Sequence, residues 1–459
     1  MATPIASAPP VPGDALLAAL VARQEQRESS ARTYARNLPI APALAGGAMI
    51  TGADGRSYVD CLSGAGTLAV GHNHPEVIAA LRSTLDSGAP LHALDLITPD
   101  KDAFTGELLA LLPGDLRNAA RVHFCGPAGT DAVEAALKLA RIATGRTGVV
   151  ACTGAYHGMT AGAAAVSGSA RMRAAGGAEH HAVARLPYPY DYRCPFGVGA
   201  PRSATLSANL LAAMLDDPGS GMSRPAAMIV EVVQGEGGVV PAPDEWLRAV
   251  RRITADRGIV LIVDEVQTGV GRTGTFWACE RAGVTPDVLV ASKAIGGGLP
   301  LAVIAYRPEL DTWQAGDHTG TFRGNILAMV AGRVTMRLVA DHRLADRATV
   351  LGDTLLDGLR SLARRHPMIG DVRGRGLMLG AEIVDPSATP DELGARPAAP
   401  GSAAALRAAA LHNGLLVELG GRSDTVLRLL PPLTLTDLQA QDVLDRLGAA
   451  LDAVSPAAT

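Results

Sequence analysis

Three sites in the sequence carry side chains or backbone groups that could do chemistry, and each follows an apolar run. Lys293 follows PDVLVAS, and Asp264 follows GIVLIV. Burial disfavours the charged form of lysine, and a lysine with a lowered pKa is an amine nucleophile that can form a Schiff base. Gly129 and Thr130 open a helical pattern after RVHFCGPA, where free backbone N–H groups and the helix dipole favour an anion.

Each of these residues also has an ordinary structural interpretation. Thr130 could be a helix N-cap, Asp264 a cap or a core salt bridge, and Lys293 a lysine that extends to water. Together, however, an anion cup, a buried carboxylate and a buried amine match the phosphate, pyridine nitrogen and aldehyde of pyridoxal phosphate. The sequence therefore predicts a pyridoxal-phosphate site. Tyr156 could stack on the ring, whereas core packing of the adjacent His157 is at least as consistent as a chemical role.

The elements that must position these residues are strands buried on both faces. Residues 226–234, 258–267 and 286–293 are continuous Val, Ile and Leu runs without alternation, as in parallel sheets covered by helices. Residues 130–145 and 246–258 read as the connecting helices. We predict an α/β fold with a mostly parallel, doubly wound sheet, whose ligands bind at the carboxyl ends of the strands.

The domain organisation follows from a change in pattern along the chain. Residues 93–325 are predicted to form the large ligand-binding domain. Residues 326–459 change to Arg-rich helices and short strands, which predict a smaller α+β domain. Residues 1–92 are predicted to be a tail, loose over its first dozen residues, followed by a segment of the small domain.

Composition excludes several classes of protein. The chain has 459 residues, of which 48% are hydrophobic and 19% charged, so it is not a disordered chain. A net charge of −4 provides no field for nucleic acid or anionic lipid. Five cysteines without C-x-x-C spacing indicate a reduced, cytoplasmic protein, and no signal peptide, membrane span or metal site is expected.

Seven motifs occur in an order typical of one family. They are FCGPAGTDAVEAAL, GAYHGMT, EVVQGEGG, VDEVQTGVGRTG, ASKAIGGGLPLA, HTGTFRGN and VRGRGLMLG. From about Arg27 to about Leu447 the chain resembles the class III aminotransferases, which have the fold type I of pyridoxal-phosphate enzymes. Three further stretches, CLSGAGTLAVGHNHPEV, PLHALDLITPDKDAF and PYPYDYRCPFG, are similar to the diaminobutyrate–2-oxoglutarate transaminases within that family.

The resemblance implies a set of cofactor-binding residues, namely Gly129, Thr130, Tyr156, Asp264, Gln267, Lys293 and Thr321. Lys293 would carry the cofactor and move the proton, and Asp264 would pair with the pyridine nitrogen. Gln267 would contact the ring hydroxyl. Thr321 would reach the phosphate in the neighbouring subunit, which implies a homodimer with a shared active site. Ala128 replaces a hydroxyl residue that many members have in the phosphate cup.

The resemblance also implies how substrates bind. Arg373 would take the α-carboxylate of 2-oxoglutarate or glutamate through a bidentate pair. Glu236 would act as a gate residue, which neutralises Arg373 when the amino donor presents its distal amine. The implied reaction interconverts L-2,4-diaminobutanoate and 2-oxoglutarate with L-aspartate 4-semialdehyde and L-glutamate.

Several alternatives stay open at this point. The amino donor could be ornithine, 4-aminobutanoate or a pathway-specific diamine, and the enzyme could be an aminomutase. A non-catalytic scaffold is disfavoured by a buried lysine close to a buried carboxylate. Residues 269–274 match G-x-G-x-x-G, but no full helix follows directly, so a nicotinamide site is not expected. His72 and His74 lack nearby ligands for a metal.

Overall fold

A computed structural model describes residues 12–175 and 182–454. The predicted loose tail therefore lies outside the described residues, except for Pro12, which begins the first helix. The helices are α1 (Pro12–Arg27), α2 (Tyr34–Asn37), α3 (Ser63–Gly66), α4 (Pro75–Asp86), α5 (Pro99–Leu111), α6 (Gly129–Thr144), α7 (Ala161–Val166), α8 (Ala170–Ala175), α9 (Arg202–Asp216), α10 (Asp244–Asp256), α11 (Ile326–Asp341), α12 (Leu344–Arg365), α13 (Pro400–His412) and α14 (Asp437–Val454). None of these helices is long and apolar enough to cross a bilayer.

The strands are grouped into four sheets. In chain order they are β1 (Pro42–Gly46), β2 (Met49–Gly52), β3 (Ser57–Asp60), β4 (Arg121–Phe124), β5 (Val149–Cys152), β6 (Val183–Leu186), β7 (Ala227–Glu231), β8 (Val233–Gln234), β9 (Val240–Pro241), β10 (Val260–Asp264), β11 (Val288–Ala291), β12 (Val303–Tyr306), β13 (Ile369–Arg375), β14 (Met378–Ile383), β15 (Leu415–Leu416), β16 (Glu418–Gly420) and β17 (Val426–Leu429).

The central sheet has seven strands in the order β4-β12-β11-β10-β7-β5-β6. Its pairs are parallel except where β12 runs antiparallel to β11 and β4, so a single strand opposes the others. The predicted α/β fold with a mostly parallel sheet is confirmed. The antiparallel strand β12 was not predicted, because its four-residue apolar run follows a Gly-rich turn and was not recognised as a separate strand.

Both faces of the central sheet are buried, which explains its continuous apolar runs. Ile229 and Ile262 face the core on the side of α6. Val230 and Leu261 face the larger core on the opposite side, which also takes in α5, α10 and α11. Each strand therefore contributes apolar side chains to two cores, so alternation with polar residues is absent.

Two smaller sheets are built from the two ends of the chain. Strands β13, β14, β17 and β16 form an antiparallel sheet, while β15 pairs with β3 to complete a four-stranded sheet with β1 and β2. Segments from the N-terminal and C-terminal parts of the chain thus meet in one sheet, as a small domain made from both parts would require. The predicted domain limits at 92 and 325 stay a prediction.

The segment 269–274 is a turn that ties the central sheet to the C-terminal part. Arg272 is buried, and its Nη1 donates hydrogen bonds to the carbonyl oxygens of Leu377 and Pro431. Only a short 3₁₀ helix, Ala278–Ala282, follows before β11. A Cβ atom on Gly269 would lie 2.8 Å from Trp277, and one on Gly271 would lie 2.9 Å from Val339, so these glycines allow close packing.

Candidate active site

A cavity of about 270 Å³ opens where the strands of the central sheet end. Strands β7, β10 and β11 deliver acidic and basic groups to it from one edge, as expected for an open α/β sheet. Its lining comprises Ala128, Gly129, Thr130, Tyr156, His157, Gly158, Met159, Glu231, Glu236, Asp264, Val266, Gln267, Thr268 and Lys293. Seven of the nine residues proposed from the sequence therefore lie together, and Thr321 and Arg373 do not line this cavity.

Lys293 lies two residues after the end of β11, at the start of a 3₁₀ turn. Its φ is 51°, in the left-handed region that non-glycine residues seldom adopt. Burial lowers the pKa of its ammonium group, although Glu236 and Asp264 oppose that effect. A lysine held in this way is more easily deprotonated and can act as a nucleophile or a base.

Asp264 ends β10, and both of its carboxylate oxygens accept hydrogen bonds. Oδ1 accepts from the backbone N–H of Val266 at 3.0 Å, and Oδ2 lies 2.8 Å from Nδ1 of His157. Burial opposes the charged form of His157, but the hydrogen bond and charge of Asp264 outweigh it and raise the pKa of the imidazole. The structure thus gives His157, which the sequence left open, a defined role in orienting Asp264.

The predicted anion cup is the N-terminus of α6. The first turn of a helix leaves N–H groups without intrahelical partners. The Asp131 carboxylate accepts from the N–H of Ala128 at 3.1 Å, and Oγ1 of Thr130 lies 2.7 Å from Oγ1 of Thr160. A Cβ atom on Gly129 would come within 3.0 Å of Val266, so glycine allows the helix to approach the end of β10 closely.

The remaining walls are fixed by buried hydrogen bonds. Glu231, at the end of β7, accepts from the backbone N–H of Tyr156 at 2.9 Å and of Gly235 at 3.2 Å. Burial raises the pKa of this carboxyl to about 7. Nε2 of Gln267 donates to the carbonyl oxygen of Ala65 at 3.0 Å, which links the cavity to the N-terminal part of the chain.

The structure does not contain the expected ion pair between Glu236 and Arg373. Oε1 of Glu236 instead accepts from Nη1 of Arg428 at 2.6 Å. Arg428 is on β17 and 2% exposed, and its Nε is buried without a hydrogen-bond partner in the described residues. A single arginine inside the apolar run VLRLLPP is the signal that the sequence analysis missed, because arginine is seldom buried without a partner.

Arg373 is held by other groups. Its Nη1 pairs with Asp371 at 2.6 Å and Glu382 at 2.8 Å, while its Nη2 donates to the carbonyl oxygen of Gly238 at 2.7 Å. The guanidinium also lies 4.8 Å from the ring centre of Tyr190. Because these partners occupy Nη1 and Nη2 of Arg373, few of its hydrogen-bond donors remain for a substrate carboxylate.

Arg373→Met should therefore act on stability. Removing Arg373 leaves the buried Glu382 with Arg193 as its only ion-pair partner among the described residues. The free energy of unfolding should therefore fall by about 3 kcal/mol, at the lower end of the cost of breaking a buried ion pair. Chemical denaturation at fixed protein concentration measures it. The control is Arg364→Met, which changes an exposed arginine and should have an effect below about 0.5 kcal/mol. A loss as small as that of the control would contradict the structural role.

Glu265, next to Asp264, provides a test of pH dependence. Its side chain is buried, Oε1 accepts from the N–H of Cys279 at 2.9 Å, and Oε2 accepts from the hydroxyl of Thr268. Burial raises the pKa of Glu265 from 4.5 to about 7. The folded protein therefore binds this proton more tightly than the unfolded chain, and its stability should fall as the pH rises from 4.5 to about 7.

Glu265→Gln should remove that dependence. We expect the wild type to lose on the order of 3 kcal/mol more than the variant between pH 5 and pH 8. Urea denaturation at pH 5, 6, 7 and 8 measures the difference, with Glu245→Gln as a control at an exposed glutamate. Parallel pH profiles for wild type and Glu265→Gln would show that the buried carboxyl does not titrate in this range.

Thr321 lies on an exposed loop outside the cavity. Its carbonyl oxygen is 3.0 Å from Nε2 of His92, and the ring of His92 packs edge-on against Phe322 at 5.5 Å. Thr321 is not among the residues that line the cavity of its own chain. Its expected contact with a neighbouring subunit stays a prediction.

The residues around the cavity fit pyridoxal phosphate. Gly129 and Thr130, at the N-terminus of α6, line the cavity, where the N–H groups of the first helical turn suit a phosphate. Asp264, oriented by His157, suits a protonated ring nitrogen, and Lys293 lines the same cavity. The three groups required by this cofactor therefore meet in one place.

The chain matches the family Aminotransferase class-III over residues 30–451. It belongs to that family and is a pyridoxal-phosphate-dependent aminotransferase of fold type I. It is 54% identical to the diaminobutyrate–2-oxoglutarate aminotransferase of Rhizobium meliloti, with 94% of this chain and 92% of that protein covered. The enzyme of the same name from Haemophilus influenzae is 47% identical, with coverages of 92% and 93%.

Solved structures give the same fold. An amine transaminase from an uncultivated Pseudomonas species, in its PLP-bound form, superposes with a TM-score of 0.83 at 29% identity and covers 94% of this chain and 98% of its own. The ornithine aminotransferase of Toxoplasma gondii has a TM-score of 0.80 at 27% identity, with 95% of each chain covered.

Proposed function

We propose that this enzyme transfers an amino group between L-2,4-diaminobutanoate and 2-oxoglutarate, with L-aspartate 4-semialdehyde and L-glutamate as the other pair. The observation that carries the proposal is the Glu236–Arg428 ion pair beside a cavity that also contains Lys293 and Asp264. The names of the relatives with 54% and 47% identity support this choice of substrates.

Bound pyridoxal phosphate supplies an aldehyde for the amino group and a ring that takes up electrons from the substrate carbon. The N-terminus of α6, with Gly129 and Thr130, would hold the phosphate, and Tyr156 would cover the ring face. Asp264 would hold a proton on the pyridine nitrogen, with His157 fixing the orientation of the carboxylate. Nζ of Lys293 would take the proton from the amine-bearing carbon of the substrate and deliver it to the carbon of the cofactor's aldehyde group.

The Glu236–Arg428 pair would allow one cavity to accept two kinds of substrate. In 2-oxoglutarate and glutamate a carboxylate is attached to the reacting carbon, and Arg428 would bind it once Glu236 moves aside. In diaminobutanoate the carbon that bears the reacting amine carries a hydrogen where glutamate carries the carboxylate, so Glu236 would stay on Arg428 and neutralise it. The same arginine is thus exposed only to a substrate that needs it.

The proposed assembly is a homodimer. The structure has a patch of exposed apolar side chains next to the loop that carries Thr321, comprising Leu91, Leu94, Leu96, Ile97 and Phe322. Exposed apolar side chains grouped in two neighbouring segments, which His92 joins through its contacts with Thr321 and Phe322, favour burial against another chain. A second copy docked there would support the expected contribution of Thr321 to the neighbouring active site. A cytoplasmic location also stays a prediction, which the five free thiols support.

A panel of amino donors tests the proposed substrate. Purified enzyme with pyridoxal phosphate and 2-oxoglutarate should form glutamate fastest from diaminobutanoate, and more slowly from ornithine, 4-aminobutanoate and simple diamines. Coupled detection of glutamate measures the rates. A higher kcat/KM for another terminal amine would identify a different class III ω-aminotransferase. Product formation without 2-oxoglutarate would indicate an aminomutase.

A further inference from the structure

The two proposed substrates share a carboxylate that the Glu236–Arg428 pair does not account for. In glutamate the distal carboxylate is three bonds from the carbon that bears the reacting amine. In diaminobutanoate, reacting through its terminal amine, the only carboxylate is also three bonds from the reacting carbon. A cation at that distance would therefore bind both substrates, whereas Arg428 would serve glutamate alone.

Arg422 lies next to two segments of the chain that line the cavity. It lies on the connection between β16 and β17, and the N–H of the preceding residue, Gly421, donates to the carbonyl oxygen of Glu236 at 2.8 Å. A Cβ atom built on Gly154 would lie 3.4 Å from Nε and Nη2 of Arg422. Gly154 is two residues before Tyr156, so the guanidinium lies beside two loops that line the cavity.

The surroundings orient the Arg422 guanidinium without neutralising it. It lies 5.4 Å from the ring centre of Tyr190, whose other guanidinium neighbour is Arg373. The carboxylate of Glu382 is already paired with Arg373 and Arg193. Within residues 12–175 and 182–454, no carboxylate forms an ion pair with Arg422, and its side chain is exposed. Arg422 is therefore a positioned cation with a free hydrogen-bonding edge.

We propose that Arg422 binds the distal carboxylate that diaminobutanoate and 2-oxoglutarate have in common. This inference rests on the proposed function and names a second substrate-binding arginine for it. Arg422 needs no gate residue, because both substrates present the same group to it. Arg428 does need one, because only one substrate carries a carboxylate on the reacting carbon.

The test compares each substrate with an analogue that lacks only the distal carboxylate. Removing that group turns 2-oxoglutarate into 2-oxobutanoate and diaminobutanoate into 1,3-diaminopropane. Half-reactions of the pyridoxal-phosphate and pyridoxamine-phosphate forms of wild type and Arg422→Gln are followed by cofactor absorbance. Arg422→Gln should raise KM for both proposed substrates about 10- to 50-fold, with kcat changed less than about threefold, and leave both analogues unaffected.

Two further variants separate binding from folding. Arg422→Lys keeps the charge and should restore part of the lost affinity, while Arg364→Gln removes an exposed charge elsewhere and should change nothing. Equal losses for substrates and analogues, or no loss for either substrate, would overturn the role of Arg422. If the wild type does not use diaminobutanoate, the proposed function fails, while the comparison of 2-oxoglutarate with 2-oxobutanoate still decides the role of Arg422.

Discussion

Lys293→Ala should lower kcat by about 10⁴-fold or more, while the protein remains folded. Removal of a positioned general acid–base alone costs about 10²–10⁴-fold, and this variant would also lose the amine that anchors the cofactor. The visible absorption of the lysine-bound cofactor should disappear. Activity assays and absorption spectra of the purified protein measure both effects.

The chain offers an internal control, because its only lysines are Lys101, Lys138 and Lys293. Borohydride reduction of the wild type with pyridoxal phosphate should attach the cofactor to Lys293 and leave the other two unmodified. Lys138→Ala, at an exposed helix position, should retain full activity. An active Lys293→Ala enzyme, or a label on another lysine, would remove Lys293 from the mechanism.

Arg428→Met should discriminate between the two half-reactions. We expect KM for 2-oxoglutarate and glutamate to rise about 10²- to 10³-fold, because a charge-assisted bidentate pair with the carboxylate is lost. The half-reaction with diaminobutanoate should change less than about tenfold. The Glu236 side chain is 32% exposed, so water can solvate its carboxylate after the substitution. Pre-steady-state kinetics of the separate half-reactions measure the contrast.

Two other variants complete this test. Glu236→Gln should weaken diaminobutanoate more than 2-oxoglutarate, because Arg428 would then lack its neutralising partner when no carboxylate is present. Arg373→Met should reduce the folded fraction and leave KM for 2-oxoglutarate within about threefold. Equal losses in both half-reactions of Arg428→Met would contradict the gate. A selective loss of 2-oxoglutarate binding in Arg373→Met would return the substrate role to Arg373.

Much of the fold could be predicted from local pattern. Strands such as β10 and β11 are continuous apolar runs, and α10 is strongly amphipathic, so burial on two faces or on one can be read from neighbouring residues. The strands β1, β2 and β3 were not predicted. They contain Gly, Ala and Ser rather than β-branched runs. Strand β3 pairs with β2 on one side and gains its second partner from β15, more than 350 residues later.

The cofactor-binding part of the site was also predictable. Lys293, Asp264 and Gly129 each stand at the end of a strand or the start of a helix, and parallel strands bring such positions to one edge of a sheet. The type of residue and its place in the local element were sufficient. No knowledge of distant contacts was required.

The arginine that faces Glu236 could not be chosen in this way. The residue types of Arg373 and Arg428 are identical, and both stand on strands of the C-terminal sheet. Arg373 is occupied by Asp371 and Glu382, whereas Arg428 meets Glu236 from a position 192 residues away along the chain. The local sequence pattern indicates which helix or strand carries each catalytic group. The pairing of charges depends instead on which elements pack together. Those contacts join residues that are far apart in the sequence, so no local pattern encodes them.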